Sequence, residues 1–276
     1  MIETTATFGE HQHLLGTLTA GKPGAAIGCI LLCAGVIHRI GPHRFNVKLA
    51  RALAGAGHPV LRLDLAAVGD SRSPPTDTAY DQQAVIDIRA GIDHLIKHTG
   101  VSQVVLIGLC SGAVYSLRTA LLDARVTGIH MIDGYAYPTA RTGRERVLQR
   151  ARTLTAGVIA KSLRSRLLRK PSAQAAIPAG QAAPDYGLDH PPQAEFAADL
   201  ERLLRRGVSI YQMFSGSILQ HYNYADQFAD GFHQYPALGA VRTEYTPHID
   251  HTATALSVQQ ELIERIVPWV TQISDN

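Results

Sequence analysis

The chain has 276 residues, of which 46% are hydrophobic, 18% are charged and 6% are aromatic. This composition excludes a disordered or fibrous chain, and the length is sufficient for a full core in one large α/β domain or two small ones. The net charge of +3 is too small for the whole chain to bind polyanions by charge alone.

Cysteine content and hydropathy bear on the compartment. The three cysteines, at positions 29, 33 and 110, do not fit a disulfide framework, because they are few and their number is odd. No secretory signal pattern is visible, so we expect a cytoplasmic protein. The longest apolar run, residues 25–37, contains two glycines and is too short to span a bilayer. It predicts a buried strand, and we expect no transmembrane segment.

Short apolar runs alternate with helical patterns along the first half of the chain. TATFGE and LLGTLTA predict an opening antiparallel pair of strands. The next predicted elements are, in chain order, a strand at 25–33, a helix at 45–57, a strand at 59–65, a helix at 80–98, a strand at 101–109, a helix at 112–123 and a strand at 126–132. This β-α-β-α alternation predicts a mostly parallel sheet with helices on both faces.

A basic segment interrupts the alternation. Residues 141–170 contain ten Lys or Arg and one acid, Glu145, so the segment carries +9 and the remainder of the chain carries −6. Apolar residues recur in it at helical spacing. Residues 171–193, rich in Pro, Ala, Gln and Gly, are typical of a surface loop.

The alternation resumes near the C-terminus. The remaining predicted elements are a helix at 194–206, strands at 208–214 and 240–245, and a helix at 254–273. We therefore predict a single domain over residues 1–276, with a cap inserted at 138–206.

The strongest motif is VVLIGLCSGA at residues 104–113, where a predicted strand is followed at once by a helix. It has the G-x-Nuc-x-G pattern of a nucleophile elbow, with Cys in place of the usual Ser. Such a strained turn requires small residues two positions before and after the nucleophile. Glycines occupy both positions around Cys110, whereas Leu109 would clash if Ser111 were the nucleophile. Cys110 is therefore the predicted nucleophile.

The oxyanion of a tetrahedral intermediate needs backbone N–H donors. Ser111 is the first predicted donor, because the residue after the nucleophile supplies one in this kind of turn. We expect the second from the loop after the third strand, CAGVIHRIGPHR at residues 33–44. Gly35 allows close backbone approach there, and the N–H of Val36 is our candidate.

The general base is expected near the C-terminus, after the last strand. The segment Tyr245-Thr246-Pro247-His248-Ile249-Asp250-His251-Thr252 precedes the final predicted helix. His251 is in the position that completes the chain order nucleophile, acid, histidine. His248 is the competitor, three residues earlier.

The acid of the triad is the least specified member. It is usually found in the loop after the seventh strand, and there the sequence has Ser217. Asp133, at the end of the sixth strand, and Asp226, further along the loop after the seventh, are the two replacements. We favour Asp133, because a strand end holds a side chain more firmly than a long loop. A Cys–His pair can also act without a strong third group.

Several other polar residues have a structural interpretation beside a functional one. Asp64 and Asp70 resemble a catalytic pair, but we expect turn and capping roles for them. Arg39, His43 and Arg44 either hold a substrate anion or tie their loop to the next helix. Cys29 and Cys33 share a strand face and are expected to pack in the core. Four tyrosines either line a pocket or pack, at positions 135, 137, 222 and 224.

Together these residues resemble the α/β-hydrolase superfamily, and more narrowly the serine-aminopeptidase-like and exosortase-system-associated hydrolases. The resemblance rests on RIGPHR (39–44), LARALAGAGHPVLRLDLAAVGDS (49–71), the GLCSGA elbow and DHT (250–252), and it covers roughly residues 25–137 and 207–270. It implies an α/β-hydrolase fold with an eight-stranded, mostly parallel sheet flanked by helices, a helical cap after the sixth strand, and acyl or ester chemistry. The chain departs from the family in its Cys nucleophile, found in dienelactone-hydrolase relatives and some biosynthetic thioesterases, and in lacking the acid after the seventh strand.

The identity of the nucleophile favours one class of acyl substrate over another. Attack of a thiolate on a thioester is nearly isoenergetic, whereas attack on an oxygen ester runs uphill. We therefore predict a thioesterase or acyltransferase acting on a CoA- or carrier-bound acyl group. The basic segment would attract pantetheine phosphate, CoA or an acidic carrier protein, or it is a solvated lid helix.

Two other functions remain open. One is a small-molecule ester or lactone hydrolase. The other is a non-catalytic module whose basic cap binds an anionic partner or a membrane surface. We expect no nucleic-acid partner, because the basic segment has no interleaved aromatic residues. The sequence predicts neither a cofactor nor a metal, and it does not indicate an oligomeric state.

Overall fold

The computed structural model describes residues 2–74, 77–153 and 190–274. Its strands are β1 (Glu3–Phe8), β2 (Leu14–Thr19), β3 (Ile27–Leu32), β4 (Val60–Asp64), β5 (Gln103–Leu109), β6 (Val126–Ile132), β7 (Ser209–Ser215) and β8 (Arg242–Thr246). Its α-helices, numbered over the described residues, are α1 (Phe45–Gly55), α2 (Tyr80–Thr99), α3 (Ser111–Leu122), α4 (Ala140–Thr153), α5 (Gln193–Arg205), α6 (Gln227–Gly231) and α7 (Leu256–Ser274).

The eight strands form one sheet in the order β1-β2-β4-β3-β5-β6-β7-β8. β2 is antiparallel to both β1 and β4, and the remaining neighbours are parallel. The predicted opening antiparallel pair and the mostly parallel sheet are both confirmed. All six residues of β3 are buried, as expected of a central strand that is covered on both faces.

The helices cover both faces of the sheet, and each face has its own hydrophobic cluster. Ile88 of α2, Leu117 of α3 and Leu200 of α5 belong to one cluster. Leu53 of α1 and Ile266 of α7 belong to the other. The predicted three-layer arrangement follows from the apolar stripe that each helix turns to the sheet.

Most predicted elements differ from the observed ones by one to three residues at their ends, where helices and strands fray. Helix α6 was not predicted from the sequence, because its five residues, QFADG, are too few to show a helical period. No helix in the described part of the chain is long and apolar enough to cross a membrane.

The chain between β6 and β7 contains α4 and α5. Phe196, Leu200 and Leu203 of α5 are buried in the same cluster as the residues of α3, so this helix packs on the sheet. Residues 154–189 lie outside the described residues, and with them most of the predicted basic segment and the Pro-rich loop. The cap limits, 138–206, therefore stay a prediction.

The register of the parallel strands brings their carboxyl ends to one edge. Leu109 of β5 pairs with Ile132 of β6, and Ile132 pairs with Met213 of β7. The residues that follow these strands, Cys110 and Asp133 among them, therefore share the same edge of the sheet. This is the edge at which ligands bind in open α/β sheets.

Candidate active site

Cys110 lies at the sharp turn between β5 and α3. Its backbone has φ 55° and ψ −116°, a conformation that is costly for a residue with a side chain. A Cβ added at Gly108 would lie 2.2 Å from the carbonyl oxygen of Gly112, and one added at Gly112 would lie 2.8 Å from that of Leu32. The turn therefore excludes side chains at both positions, which is the packing rule that predicts Cys110 rather than Ser111 as the nucleophile.

The side chain of Ser111 has a different use. Its Oγ accepts a hydrogen bond from the backbone N–H of Gly35 at 2.6 Å, and the residue is buried. This bond joins the loop after β3 to the first turn of α3, where helix N–H groups have no intrahelical acceptor. The two predicted oxyanion donors, the N–H groups of Val36 and Ser111, lie on the two segments that it joins. Their role stays a prediction.

His251 and Asp133 are in direct contact, although they lie far apart in the chain. Nδ1 of His251 is 2.7 Å from Oδ2 of Asp133. Asp133 follows β6 and is buried, and its backbone also has a positive φ of 50°. The imidazole hydrogen-bonds Asp133, and the thiol of Cys110 contributes to the electrostatics of the same ring. The structure thus brings together Cys110, His251 and Asp133.

The surroundings of His251 shift its pKa away from the ordinary value of a histidine. The pKa of His251 is raised to about 10, first by its hydrogen bond to Asp133 and then by its hydrogen bond to Cys110, with desolvation opposing both. Both partners therefore favour the protonated form of the imidazole. A protonated imidazole beside a thiol stabilises the thiolate, so the pair is arranged for nucleophilic chemistry.

The end of β7 holds the acid in place. The backbone N–H of Ser215 donates to Oδ1 of Asp133 at 2.7 Å, and its hydroxyl donates to Oδ2 at 2.6 Å. Ser217, at the usual position of the acid, accepts the backbone N–H of His251 through its Oγ at 2.9 Å. Neither serine contact was predicted from the sequence. The available signal was the polar Ser-Gly-Ser sequence directly after a buried strand.

The competing residues lie elsewhere. Nε2 of His248 is 2.8 Å from a carboxylate oxygen of Glu261, in an exposed ion pair. Asp226 precedes α6 as its N-cap residue. The contact between His251 and Asp133 therefore distinguishes this pair from His248 and Asp226, the alternative base and the alternative acid.

Arg39 ties its loop to the neighbouring strand end. Its guanidinium Nη1 lies 2.5 Å from Asp64 and 2.8 Å from Asp70, and its backbone N–H also donates to Asp64. Asp64 and Asp70 thus have structural partners, although the contact of Asp70 is an ion pair with Arg39 and not the turn or capping role expected of it. His38, Asp64 and Asp70 could together ligate a cation. However, the Arg39 guanidinium already hydrogen-bonds all three and supplies the positive charge there.

Other predicted pocket residues have structural partners. The hydroxyl of Tyr137 donates to the carbonyl of Pro191, and Tyr222 stacks on Phe214 with ring centroids 3.8 Å apart. Arg141 of the basic segment lies over the ring of Tyr224 at 4.2 Å. Arg146 donates to the carbonyl of Gln220. These contacts are packing contacts around the carboxyl edge of the sheet.

Comparison with known proteins shows the family to which the chain belongs. Residues 30–269 match the Alpha/beta hydrolase family. The chain belongs to this family. Family membership confirms the predicted fold and an enzyme of the hydrolase type. No curated protein is significantly similar to the chain.

Solved structures with the same fold include hydrolases of several kinds. A Pyrococcus furiosus esterase has a TM-score of 0.63 at 13% identity, covering 98% of this chain and 91% of its own. A proline iminopeptidase from Mycobacterium smegmatis has a TM-score of 0.56 at 16% identity, covering 98% and 99%. An epoxide hydrolase from Vigna radiata has a TM-score of 0.55 at 14% identity, covering 98% of each chain. Because these enzymes cleave different bonds, the shared fold does not select a substrate.

Proposed function

We propose that this α/β hydrolase is a Cys-dependent thioesterase or acyltransferase that forms an acyl-enzyme on Cys110. Its substrate would be a CoA- or carrier-bound acyl group. The observation that carries the proposal is the arrangement of Cys110 at a strained elbow, in electrostatic interaction with His251, whose imidazole is hydrogen-bonded to the buried Asp133. Nucleophile, base and orienting acid in this relation are the general signature of covalent catalysis.

In the acylation step, the thiolate of Cys110 attacks the thioester carbonyl and forms a C–S bond. The backbone N–H groups of Val36 and Ser111 hydrogen-bond the resulting oxyanion. The intermediate then collapses and breaks the C–S bond to the leaving group. The departing thiolate takes a proton from the imidazolium of His251, which leaves an acyl-Cys110 thioester and a neutral imidazole.

In the deacylation step, the neutral imidazole of His251 removes a proton from water, an alcohol or an amine as this acceptor attacks the acyl carbonyl. The second tetrahedral intermediate expels the thiolate of Cys110. The products are the free acid or the transferred acyl group, and the thiolate–imidazolium pair is restored. The carboxylate of Asp133 accepts the hydrogen bond of the imidazolium and orients the ring.

Two arguments support a thioester rather than an oxygen ester. Exchange of one thioester for another is close to thermoneutral, whereas formation of a thioester from an oxygen ester is uphill. The basic segment at 141–170 would add electrostatic attraction for a phosphate-bearing or acidic carrier.

The test is intact-protein mass spectrometry after incubation with acyl-CoA and acyl-pantetheine thioesters and with matched oxygen esters. Wild type, Cys110→Ala and His251→Ala are compared. We expect an acyl adduct in the wild type that is absent from Cys110→Ala. We also expect His251→Ala to slow both adduct formation and turnover, because it lacks the proton donor and base.

The outcomes separate the competing functions. Faster labelling by oxygen esters or lactones than by thioesters would favour the small-molecule ester or lactone hydrolase. Absence of any adduct and of any turnover, together with failure of iodoacetamide to label Cys110, would contradict catalysis by this thiol. The non-catalytic binding module would then become the better hypothesis.

A further inference from the structure

The hydrogen bonds behind His251 form a closed ring of four residues. The backbone N–H of His251 donates to Oγ of Ser217 at 2.9 Å, and the backbone N–H of Ser217 donates to Oγ of Ser215 at 3.1 Å. The hydroxyl of Ser215 donates to Oδ2 of Asp133 at 2.6 Å. The same oxygen is 2.7 Å from Nδ1 of His251, which closes the ring.

The ring fixes the direction of the Ser215 hydroxyl. Its oxygen already accepts a hydrogen bond from the N–H of Ser217, so its own proton points at Asp133. Ser215 also directs its backbone N–H to the other oxygen of that carboxylate, and only 1% of its surface is exposed. Both oxygens of Asp133 are therefore held by one buried residue, and the carboxylate is oriented toward His251.

This arrangement follows from the position of the acid. In the usual triad the acid is found after the seventh strand, and here that position has serines while Asp133 follows the adjacent strand, β6. The parallel register places the ends of β6 and β7 side by side, so a residue at the end of β7 can donate to a carboxylate at the end of β6. Hydrogen bonds to an ionised carboxylate are short and strong, and they favour its charged form.

We propose that Ser215 is a positioning residue for the reaction: it holds the carboxylate of Asp133 oriented toward His251, and through Asp133 it supports the imidazolium of His251 beside Cys110. The inference rests on the proposed role of Cys110. Without the hydroxyl, Asp133 turns more freely and stabilises the imidazolium less. The imidazolium of His251 then stabilises the thiolate of Cys110 less.

The experiment measures the rate of Cys110 alkylation by iodoacetamide as a function of pH, with the label located by peptide mapping. The proteins are wild type, Ser215→Ala, Asp133→Asn, the double variant, and Ser116→Ala as a control. Ser116 is an equally buried serine whose hydroxyl donates to a helix carbonyl, that of Gly112, at 2.8 Å. Loss of its hydroxyl tests the general cost of removing a buried hydrogen bond.

We expect Ser215→Ala to slow alkylation at neutral pH by about tenfold or more, the size of one charge-assisted hydrogen bond. The midpoint of its pH profile moves to higher pH, whereas Ser116→Ala keeps the wild-type profile. In the Asp133→Asn background, Ser215→Ala has an effect below about twofold, because the two residues act through one carboxylate.

A wild-type profile in Ser215→Ala, or additive effects in the double variant, would overturn the inference. So would failure of iodoacetamide to label Cys110 in the wild type. Alkylation requires no acyl substrate. If alkylation behaves as expected but no thioester reacts, the positioning role holds and the proposed function fails.

Discussion

At the scale of single residues, two residues of the candidate site have backbone conformations that are unfavourable for any residue other than glycine. Cys110 and Asp133 have φ values of 55° and 50°. Each such residue costs of order 1–3 kcal/mol, and such strain concentrates at functional sites. Here it directs the thiol and the carboxylate toward the same imidazole, that of His251.

Replacing the thiol by a hydroxyl tests the nature of the nucleophile. We expect Cys110→Ser to lower kcat/KM for thioesters by at least about 100-fold, because a hydroxyl beside a protonated His251 does not ionise as a thiol does. The measurement is steady-state hydrolysis or transfer of an acyl-pantetheine, with the melting temperature as a check of folding.

Cys33→Ser is the matched control for that substitution. The thiol of Cys33 contacts the carbonyl of His38 and the side-chain amide of Asn46, and a hydroxyl can make both contacts. Burial raises the pKa of Cys33 to about 12, so it stays a thiol at neutral pH. Equal losses in the two variants would argue against Cys110 as the nucleophile.

At the scale of elements, the junction of β5 and α3 is a tightly packed point of the site. The sequence pattern predicted this turn from its two glycines, and the structure explains them by backbone atoms within 3 Å of where a side chain would begin. The sequence was sufficient to predict this turn because the atoms that exclude a side chain are close by. At Gly108 they belong to Gly112, four residues later, and at Gly112 they belong to the neighbouring strand β3.

Adding one methyl group at this junction should disrupt it. We expect Gly108→Ala to destabilise the protein by about 3 kcal/mol or more, because the neighbouring atoms belong to the backbone and cannot move aside. The measurement is urea unfolding followed by circular dichroism. Gly143→Ala in α4 is the control, since no atom lies within 4 Å of its added Cβ and alanine favours a helix. Equal stabilities of the two variants would contradict the packing argument.

At the scale of the whole molecule, two histidines limit the pH range of stability from opposite sides. His130 is fully buried between the rings of Tyr211 and Trp269, and burial lowers its pKa to about 3. His251 has its pKa raised to about 10 by Asp133 and Cys110. The ordinary value of both is 6.5.

On the acid side, the unfolded chain binds a proton at residue 130 that the folded chain does not. Stability is therefore lost as the pH falls from about 6.5 toward 3. We expect His130→Phe to flatten this decline, because phenylalanine keeps the ring stacking and binds no proton. Unfolding free energies at pH 4, 5 and 7, from urea titrations, test this expectation. An unchanged slope would mean that His130 is not a neutral group in the folded state.

On the alkaline side, the folded chain holds a proton on His251 more tightly than the unfolded chain. The stabilisation from this group is complete below pH 6.5 and is lost as the pH rises through about 10. The stability difference between wild type and His251→Gln should therefore shrink between pH 6.5 and 10. A difference that stays constant over this range would contradict the raised pKa.

The elements other than α6, the mostly parallel sheet and the elbow at Cys110 could be predicted from the sequence alone. Helical and strand periods, turn glycines and the spacing G-x-C-x-G all depend on residues close together in the chain. The same local information left Asp133 and Asp226 open as the acid, and His248 and His251 as the base.

The tertiary structure decided which of these residues meet. Asp133 and His251 are 118 residues apart, and their contact depends on the order β6-β7-β8 and on the register of each pair. The hydrogen bonds that Ser215 and Ser217 make in the site depend on the same register. A shift of β7 by one residue against β6 would turn side chains of the strand to the other face of the sheet. Contacts between distant residues follow from the packing of whole elements, and no local pattern encodes them.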